Sequence, residues 1–482
     1  MAEGESEVRR ERLFERLVGV AFVIALCGAA FGYGVAVMKF KVFPYRVLIE
    51  AEAAFDAWRQ IGDDAFPPGI VSWEKGSSKP LARTIAPAAG GEAVMITGGF
   101  YHRQDLCPKF GCLAVIVDRS GRALHSWSAP DPARFFTGAT GHTGSVKPIN
   151  YRVFGTALGR DGSLVVSFHG KDMFPYQVGI AKFDVDGRTL WTRFGANHHF
   201  PTLGSDGRIY TPSVRLSAQS QKHFASTPIR LSCKTGGASY MEGVQVLDAD
   251  GRLLHDFAME ASLAAAGYPG LFYSLRDGCD PFHVNSLDLV NAASAARLGA
   301  NVGDLLVSVR EASALVVMDK DTGAIKRVIS GRVAAQHSPH FLPDGSILVF
   351  DNQGGDLALG GSRVARVQPE GATATVFPTR AEAGLTPFYS VFQGRIDTST
   401  DGARALVASS MQGRIIEVNV ADGRPLWVYE NLIDLAPFIQ ARGLKHAETR
   451  ARVESYGAYY VDDLGFLTGR RAKAAPTPSA KD

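Results

Sequence analysis

Short apolar runs alternate with polar, glycine-bearing turns along most of this chain. The clearest instance is residues 336–352, QHSPHFLPDGSILVFDN. Asp344-Gly345 marks a tight turn, because glycine accepts positive φ without steric cost. Ser346 to Phe350 is a short apolar run with β character. The pattern predicts one strand entered or left at His337, a turn, and a second strand running back. The position eight residues before the turn glycine recurs elsewhere: His199 before Gly207, Phe154 before Gly162 and Gly394 before Gly402. One structural position therefore comes round several times, and histidine fills it twice.

A second marker closes each repeat. It reads VDRSGRALHSW at 117–127, FDVDGRTLWTRF at 183–194, LDADGRLLHDF at 247–257, MDKDTGAIKRVI at 318–329, VQPEGATATVF at 367–377 and VNVADGRPLWVY at 418–429. Its glycines are Gly121, Gly187, Gly251, Gly323, Gly371 and Gly423, spaced irregularly by 48 to 72 residues, as inserted loops require. Four short strands in a period near 50 residues describe a β-propeller blade. Six markers predict an all-β, six-bladed β-propeller over residues 92–432. A β-sandwich, the main competitor, does not predict one motif recurring six times.

The flanks differ. Residues 1–16 are charged, and Leu17 to Met38 then runs 22 residues without a charge. That length spans a hydrocarbon core of about 30 Å at about 1.5 Å per residue. An uncleaved transmembrane signal anchor over 17–38 is expected, with cleavage after Gly34-Val35-Ala36 as the alternative. Either way the body is expected in the periplasm or otherwise outside the cytoplasm. Residues 39–91 form a connector, with helical spacing over 47–61. Long loops are expected at 213–240 and 259–282, positions where binding functions concentrate. Beyond 432 the spacing turns helical over IQARGLKHAETRARVES, and a disordered-looking tail ends residues 433–482.

Composition narrows the function without choosing it. The 482 residues are 46% apolar and 21% charged, with a formal net charge of +3. This gives no basic stripe, so no nucleic-acid partner is expected. The five cysteines have no CxxC or Cys/His metal spacing. Cys107 with Cys112, and Cys233 with Cys279, would make two disulfides in an oxidising compartment; buried free thiols are the alternative.

In a propeller the innermost strands line a central channel, so equivalent positions converge. His199 and His337 hold one such position. His283 leads a third inner strand in DPFHVNSLDL, with Asn285 two residues on and on the same face by alternation. Arg310, in SVREAS, sits where the next strand should return. His340 and His198 should face away from the channel. His199, His283, His337, Asn285 and Arg310 suit transfer of an anionic group. Neutral imidazole is a nucleophile, Arg presents a planar fork to oxyanions, and His and Asn donors neutralise developing charge. The competing readings are plain channel lining, or zinc held by three histidines, although no carboxylate pattern singles metal out.

HVNS at 283–286, SVREAS at 308–313, QHSPHFLPDGSILVFDN at 336–352, and YSVFQG with GRIIEVNVADGRPLWVYEN within 389–431 resemble the bacterial arylsulfotransferase family. The resemblance covers roughly 94–432. It implies a six-bladed propeller that moves a sulfuryl group from an aryl sulfate to a phenolic acceptor through a sulfated histidine. It implies no cofactor and no nucleotide sulfate donor (PAPS). By motif match the nucleophile falls on His337, supporting groups on His283 and Asn285, the sulfate-binding arginine on Arg310, and a further histidine on His199. The chain departs from the family where an acidic residue often follows the channel histidines: Ser338 and Pro339 follow His337, and Phe200 follows His199. There is also no room before the first strand for the extra N-terminal β domain of the best-studied branch. A non-catalytic propeller that binds a small anion or a partner protein, and a metal- or quinone-dependent propeller enzyme, are the alternatives.

Overall fold

The computed structural model describes residues 2–40, 65–75, 80–86, 91–137, 147–171, 177–195, 197–216, 223–231, 233, 239–275 and 278–467. The chain divides into two units, Met1–Phe66 and Pro67–Asp482. The first contains the helix Ala2–Phe40. Within it Arg16–Val37, 22 residues of mean hydropathy 2.2, is long and apolar enough to cross a membrane, a test that a signal sequence also passes. The helical spacing at 47–61 lies outside the described residues.

The second unit is all-β. Among the described residues it has six antiparallel sheets of four or five strands and one of three. Sheet I orders Ala458–Val461, Ala93–Thr97, Cys112–Val117 and Ala123–Ser128. Sheet II runs Tyr151–Leu158, Leu164–Gly170, Gln177–Phe183 and Thr189–Phe194. Sheet III runs Thr202–Leu203, Ile209–Leu216, Tyr240–Leu247 and Leu253–Ala258. Sheet IV runs Val284–Leu289, Leu305–Val309, Ala314–Met318 and Ile325–Ser330, and sheet V His337–Phe341, Ile347–Asp351, Arg363–Val367 and Thr373–Phe377. Sheet VI orders Arg395–Thr398, Arg404–Ser409, Arg414–Asn419, Pro425–Glu430 and Ala82–Thr84. The three-stranded sheet joins Ile70–Trp73, Arg450–Val453 and Leu432–Asp434.

Burial along the strands explains why the sequence reads as apolar runs rather than clean alternation. Second and third strands such as Cys112–Val117, Leu305–Val309 and Ala314–Met318 are buried on both faces, as strands packed between two sheets must be. Fourth strands such as Thr189–Phe194 and Leu253–Ala258 are half exposed. The apolar side chains gather between neighbouring sheets. One cluster joins Val244 and Val246 of sheet III to Val307 and Val316 of sheet IV. Others join Leu306 and Val317 of sheet IV to Ile347 and Ala365 of sheet V, and Phe350 of sheet V to Ile396 and Val407 of sheet VI. A further one joins Ile96 and Val115 of sheet I to Leu406 and Trp427 of sheet VI.

All six marker glycines have positive φ, between 71° and 97°, and each lies between the third and fourth strands of its sheet. In the DxxGR form the chemistry is local. Asp118 Oδ1 accepts the N–H groups of Ser120 and Arg122, at 3.0 Å each, and Oδ2 accepts from Arg122 Nε at 2.9 Å. Asp184 with Arg188, and Asp248 with Arg252, repeat the bond at 2.8 and 3.0 Å. An aspartate that captures turn N–H groups stabilises a turn before any sheet forms.

Two stretches differ from their sequence pattern. Residues 259–282 are not one irregular loop: they contain a helix at Met259–Ala265 and a 3-10 turn at Pro269–Ser274. Where spacing predicts a helix over 439–455, only Ala436–Ala441 is helical, and Arg450–Val453 and Ala458–Val461 are strands. Pairing decided this, since Arg450–Val453 bonds between Ile70–Trp73 and Leu432–Asp434. The loop expected at 213–240 is partly strand, and 217–222, 232 and 234–238 lie outside the described residues, as does the tail after 467. Both disulfides form, Cys107–Cys112 and Cys233–Cys279.

Gly423 and Gly384 share a φ of 71°, but a Cβ at Gly423 would sit 1.9 Å from Val376 O, whereas at Gly384 it would meet nothing within 4 Å. Gly384→Ala should therefore cost only the left-handed penalty, roughly 1–2 kcal/mol. Gly423→Ala should lower the thermal midpoint at least about twice as far. Equal shifts in a melting comparison would refute the steric account.

Candidate functional site

Sheets II to VI, through their inner strands and the segments flanking them, supply the lining of one cavity of about 410 Å³. Arg152 and Phe154 come from the first strand of sheet II and His169 from its second. His199 precedes sheet III. Asp280 and His283 lead into sheet IV, and Arg310 and Glu311 leave its second strand. His337 begins sheet V, and Phe392 and Gln393 precede the first strand of sheet VI. These residues line the cavity together.

The backbone that presents them is unusual. His199, His283, Ser338 and Gln393 have φ of 53°, 48°, 49° and 63°. A non-glycine residue in the left-handed region costs of order 1–2 kcal/mol. Four such positions at the heads of inner strands bend the chain so that side chains point into the cavity rather than along a regular pleat.

Three imidazoles meet there. Ring centroids are 5.1 Å apart for His199–His283, 6.3 Å for His199–His337 and 6.2 Å for His283–His337. Each has its Nδ1 engaged. His283 Nδ1 lies 2.6 Å from Asp280 Oδ2, His337 Nδ1 is 2.8 Å from Asn352 Oδ1, and His199 Nδ1 is 2.5 Å from Nδ1 of His198. The Asn352 amide cannot turn round, because its Nδ2 donates to the carbonyls of Ser390 and Gln393 at 2.6 Å each. Its oxygen therefore faces His337, so His337 Nδ1 carries the proton and the neutral ring keeps its lone pair on Nε2.

Burial sets the charge. His169, His199 and His337 are held well below the ordinary imidazole pKa, first by loss of water and then by neighbouring positive groups, Arg310 in the case of His337. Burial pushes His198 down to about 3. Behind His283 stand two buried carboxyl groups. Glu242 is raised well above the ordinary carboxyl value, by burial first and then by Asp280. Burial also opposes the charge on Asp280, but His283 beside it outweighs that and holds its pKa low. The two carboxyls are thus pushed in opposite directions, Asp280 by its contact with His283 Nδ1. Arg310 Nη1 is engaged by Glu311. Arg152 Nη1 donates to Tyr456 at 3.0 Å.

Of the residues singled out in the sequence, His199, His283, His337 and Arg310 line this cavity and Asn285 does not. Asn285 is fully buried; its Nδ2 donates to Gln336 O at 2.9 Å and its Oδ1 accepts from Ser286 at 2.7 Å. The alternation argument that paired it with His283 fails for a local reason. His283 precedes the strand in left-handed backbone, and the register shifts between Val284 and Ser286. His340 lies outside the cavity, 3.5 Å from Asp288 Oδ2. Sequence reasoning missed Arg152, His169, Asp280, Glu311, Phe392 and Gln393 as lining residues. Asp280, three residues before His283, was the most findable of these.

The fold and cavity define an all-β protein with a pocket lined by four imidazoles, two arginines and aromatic walls from Phe154 and Phe392. Residues 258–431, which include most of sheets IV to VI, match the model of the arylsulfotransferase (ASST) family. The match supports a function of arylsulfotransferase type, a family whose reaction implies an aryl sulfate donor and a phenol acceptor. No curated protein matches the chain significantly. Among solved structures, a protein of unknown function from Bacteroides caccae is 10% identical, with 78% of this chain and 100% of that one covered at a TM-score of 0.43. Virginiamycin B lyase from Staphylococcus aureus is 10% identical, with 57% and 69% covered at 0.34.

The buried histidines predict a pH dependence of stability. Where folded pKa values lie below the unfolded value near 6.5, with His102 at about 4 and His198 at about 3, the unfolded chain binds protons that the folded chain refuses. Stability is then complete above about pH 6.5 and falls as pH drops below it. The thermal midpoint should decline between about pH 7.5 and pH 5, before most carboxylates titrate. A flat midpoint over that range would show that the imidazoles take up protons in the folded state.

Proposed function

We propose that this protein is an aryl-sulfate sulfotransferase, with His337 as the group that carries the sulfuryl between donor and acceptor. The observation behind this reading is the Asn352–His337 pair, which leaves an unprotonated Nε2 open in a cavity that also holds Arg310. No nucleotide sulfate enters the scheme. Arg310 receives the sulfate oxygens of an aryl sulfate, and the aryl ring lies against Phe154 and Phe392. His337 Nε2 attacks sulfur in line as the bond from sulfur to the aryl oxygen breaks. The departing electron pair stays on that oxygen, which takes a proton from Nε2 of a protonated His283, whose charge Asp280 stabilises. In the second half the acceptor phenol gives its proton to His283 and attacks sulfur. The S–N bond then breaks and the pair returns to His337 Nε2. The transition state is loose, so positioning and electrostatics supply most of the acceleration. His199 flanks both steps. Asn285 acts behind His337, holding the Gln336 carbonyl, rather than on the substrate.

The surrounding fold is read as a closed six-bladed propeller over about residues 92–432, with sheets I–VI as blades. The apolar cluster between sheets VI and I, and the strand Ala458–Val461 paired into sheet I, support closure. The segment 17–38 is read as a membrane anchor and the catalytic unit as periplasmic. Two disulfides fit an oxidising compartment.

Brief exposure of the protein to an aryl sulfate without acceptor should add one sulfuryl group by intact mass, and His337→Ala should abolish both adduct and turnover. Unchanged turnover in His337→Ala would exclude this mechanism. Arg310→Ala should raise KM for the aryl sulfate about 10- to 100-fold, the worth of a charged hydrogen bond, with a smaller change in kcat; steady-state kinetics separate the two. No adduct and no released phenol from any donor would favour the non-catalytic reading, in which the cavity only binds a small anion.

A further inference from the structure

We propose that His199, His283 and His337 together form a binding site for an imidazole-preferring divalent cation, Zn²⁺ being the natural probe, and that this ion and the aryl sulfate exclude one another. The inference uses the side chains of the transfer site but does not depend on transfer taking place.

The geometry carries it. One ligand nitrogen from each of the three rings lies within 4.8 Å of the others. Bonds of about 2.0–2.1 Å to a tetrahedral zinc need somewhat closer nitrogens, which small rotations of the rings about their side-chain bonds supply. What makes the cluster more than three nearby histidines is the outer set of hydrogen bonds. Each Nδ1 is engaged, by Asp280, Asn352 or His198, at 2.6, 2.8 and 2.5 Å. A carboxylate or amide oxygen on the far nitrogen of a ligating histidine fixes its tautomer and raises its basicity. Asp280 does this for His283, and Asn352 for His337.

The electrostatics permit a cation. Asp280 Oδ2 lies 2.6 Å from His283 Nδ1, and Arg310, which also lines the cavity, is engaged by Glu311. Glu242 and Asp280 form a second close group with His283, adding carboxyl oxygens on the same side. Three imidazoles and an open fourth position suit zinc, copper or nickel better than magnesium or calcium, which prefer oxygen. A bound ion occupies the Nε2 lone pair of His337 that attack on sulfur requires. Ion and substrate then compete for one atom.

The full-length protein in detergent, stripped with a chelator, would be titrated with ZnCl₂ by calorimetry and with CoCl₂ by visible absorption. One Zn²⁺ per chain is expected, with Co²⁺ bands of a low-coordinate nitrogen site. His199→Ala and His199→Gln should each weaken binding at least about tenfold; agreement between the two, with unchanged circular dichroism, excludes misfolding as the cause. Zinc should inhibit transfer competitively with the aryl sulfate, and chelator should restore it. Binding with loss in the His199 variants, but no transfer in chelator with any donor, would uphold the metal site and remove the transfer reading. Transfer that zinc neither inhibits nor activates, with no calorimetric binding, would overturn the metal site alone. Activation by zinc would overturn the mutual exclusion.

Discussion

The Asn352 amide is the constraint on which the site's chemistry rests. Both of its N–H groups are spent on the carbonyls of Ser390 and Gln393, which leaves its oxygen one direction to face. That direction fixes the His337 tautomer. A histidine free to exchange its proton between nitrogens would offer a lone pair to the cavity only part of the time. Here the choice is made by main-chain carbonyls of the segment that leads into sheet VI. The open nitrogen is thus set by how that segment packs against sheet V, and the apolar cluster around Phe350, Phe388 and Ile396 holds that packing.

Burial has opposite consequences for the two kinds of ionisable group in the cavity. It lowers the pKa of His169, His199 and His337, favouring their neutral form. It would remove charge from both carboxyl groups behind His283 as well, but His283 lies closer to Asp280 and keeps it ionised while Glu242 takes the proton. One charge then remains where it can orient and stabilise an imidazolium. The positive φ values at His199, His283, Ser338 and Gln393 are the local cost of aiming these groups inward. The sheets on either side, buried on both faces, are what can offset that cost.

The family match spans sheets IV to VI, and the cavity is wider than that span. Arg152, Phe154 and His169 come from sheet II and His199 from the approach to sheet III. The half of the pocket outside the match therefore carries an arginine and an aromatic wall of its own. This is where differences in the accepted substrate would be written, while His337, His283 and Arg310 lie inside the matched segment.

Much of this was readable from the chain alone. Six glycine-bearing marker turns predicted six sheets, because a turn needing positive φ favours glycine. His337, His199 and Phe154 were found as one recurring position because strand heads repeat eight residues before a second set of turn glycines, Gly345, Gly207 and Gly162. Asn285 was misplaced, and the strand Arg450–Val453 was read as helix, because alternation and helical spacing are local signals. A left-handed residue at His283 and a pairing with Ile70–Trp73, hundreds of residues away, leave no local trace. Arg152 and Asn352 were invisible as site residues for the same reason: their roles come from which sheets meet. The sequence determined the strands, turns and three of the converging histidines through short-range stereochemistry. Only the tertiary structure decided which nitrogen of each ring faces the cavity and which carboxyl group keeps its charge, since both depend on burial and on partners brought together across sheets.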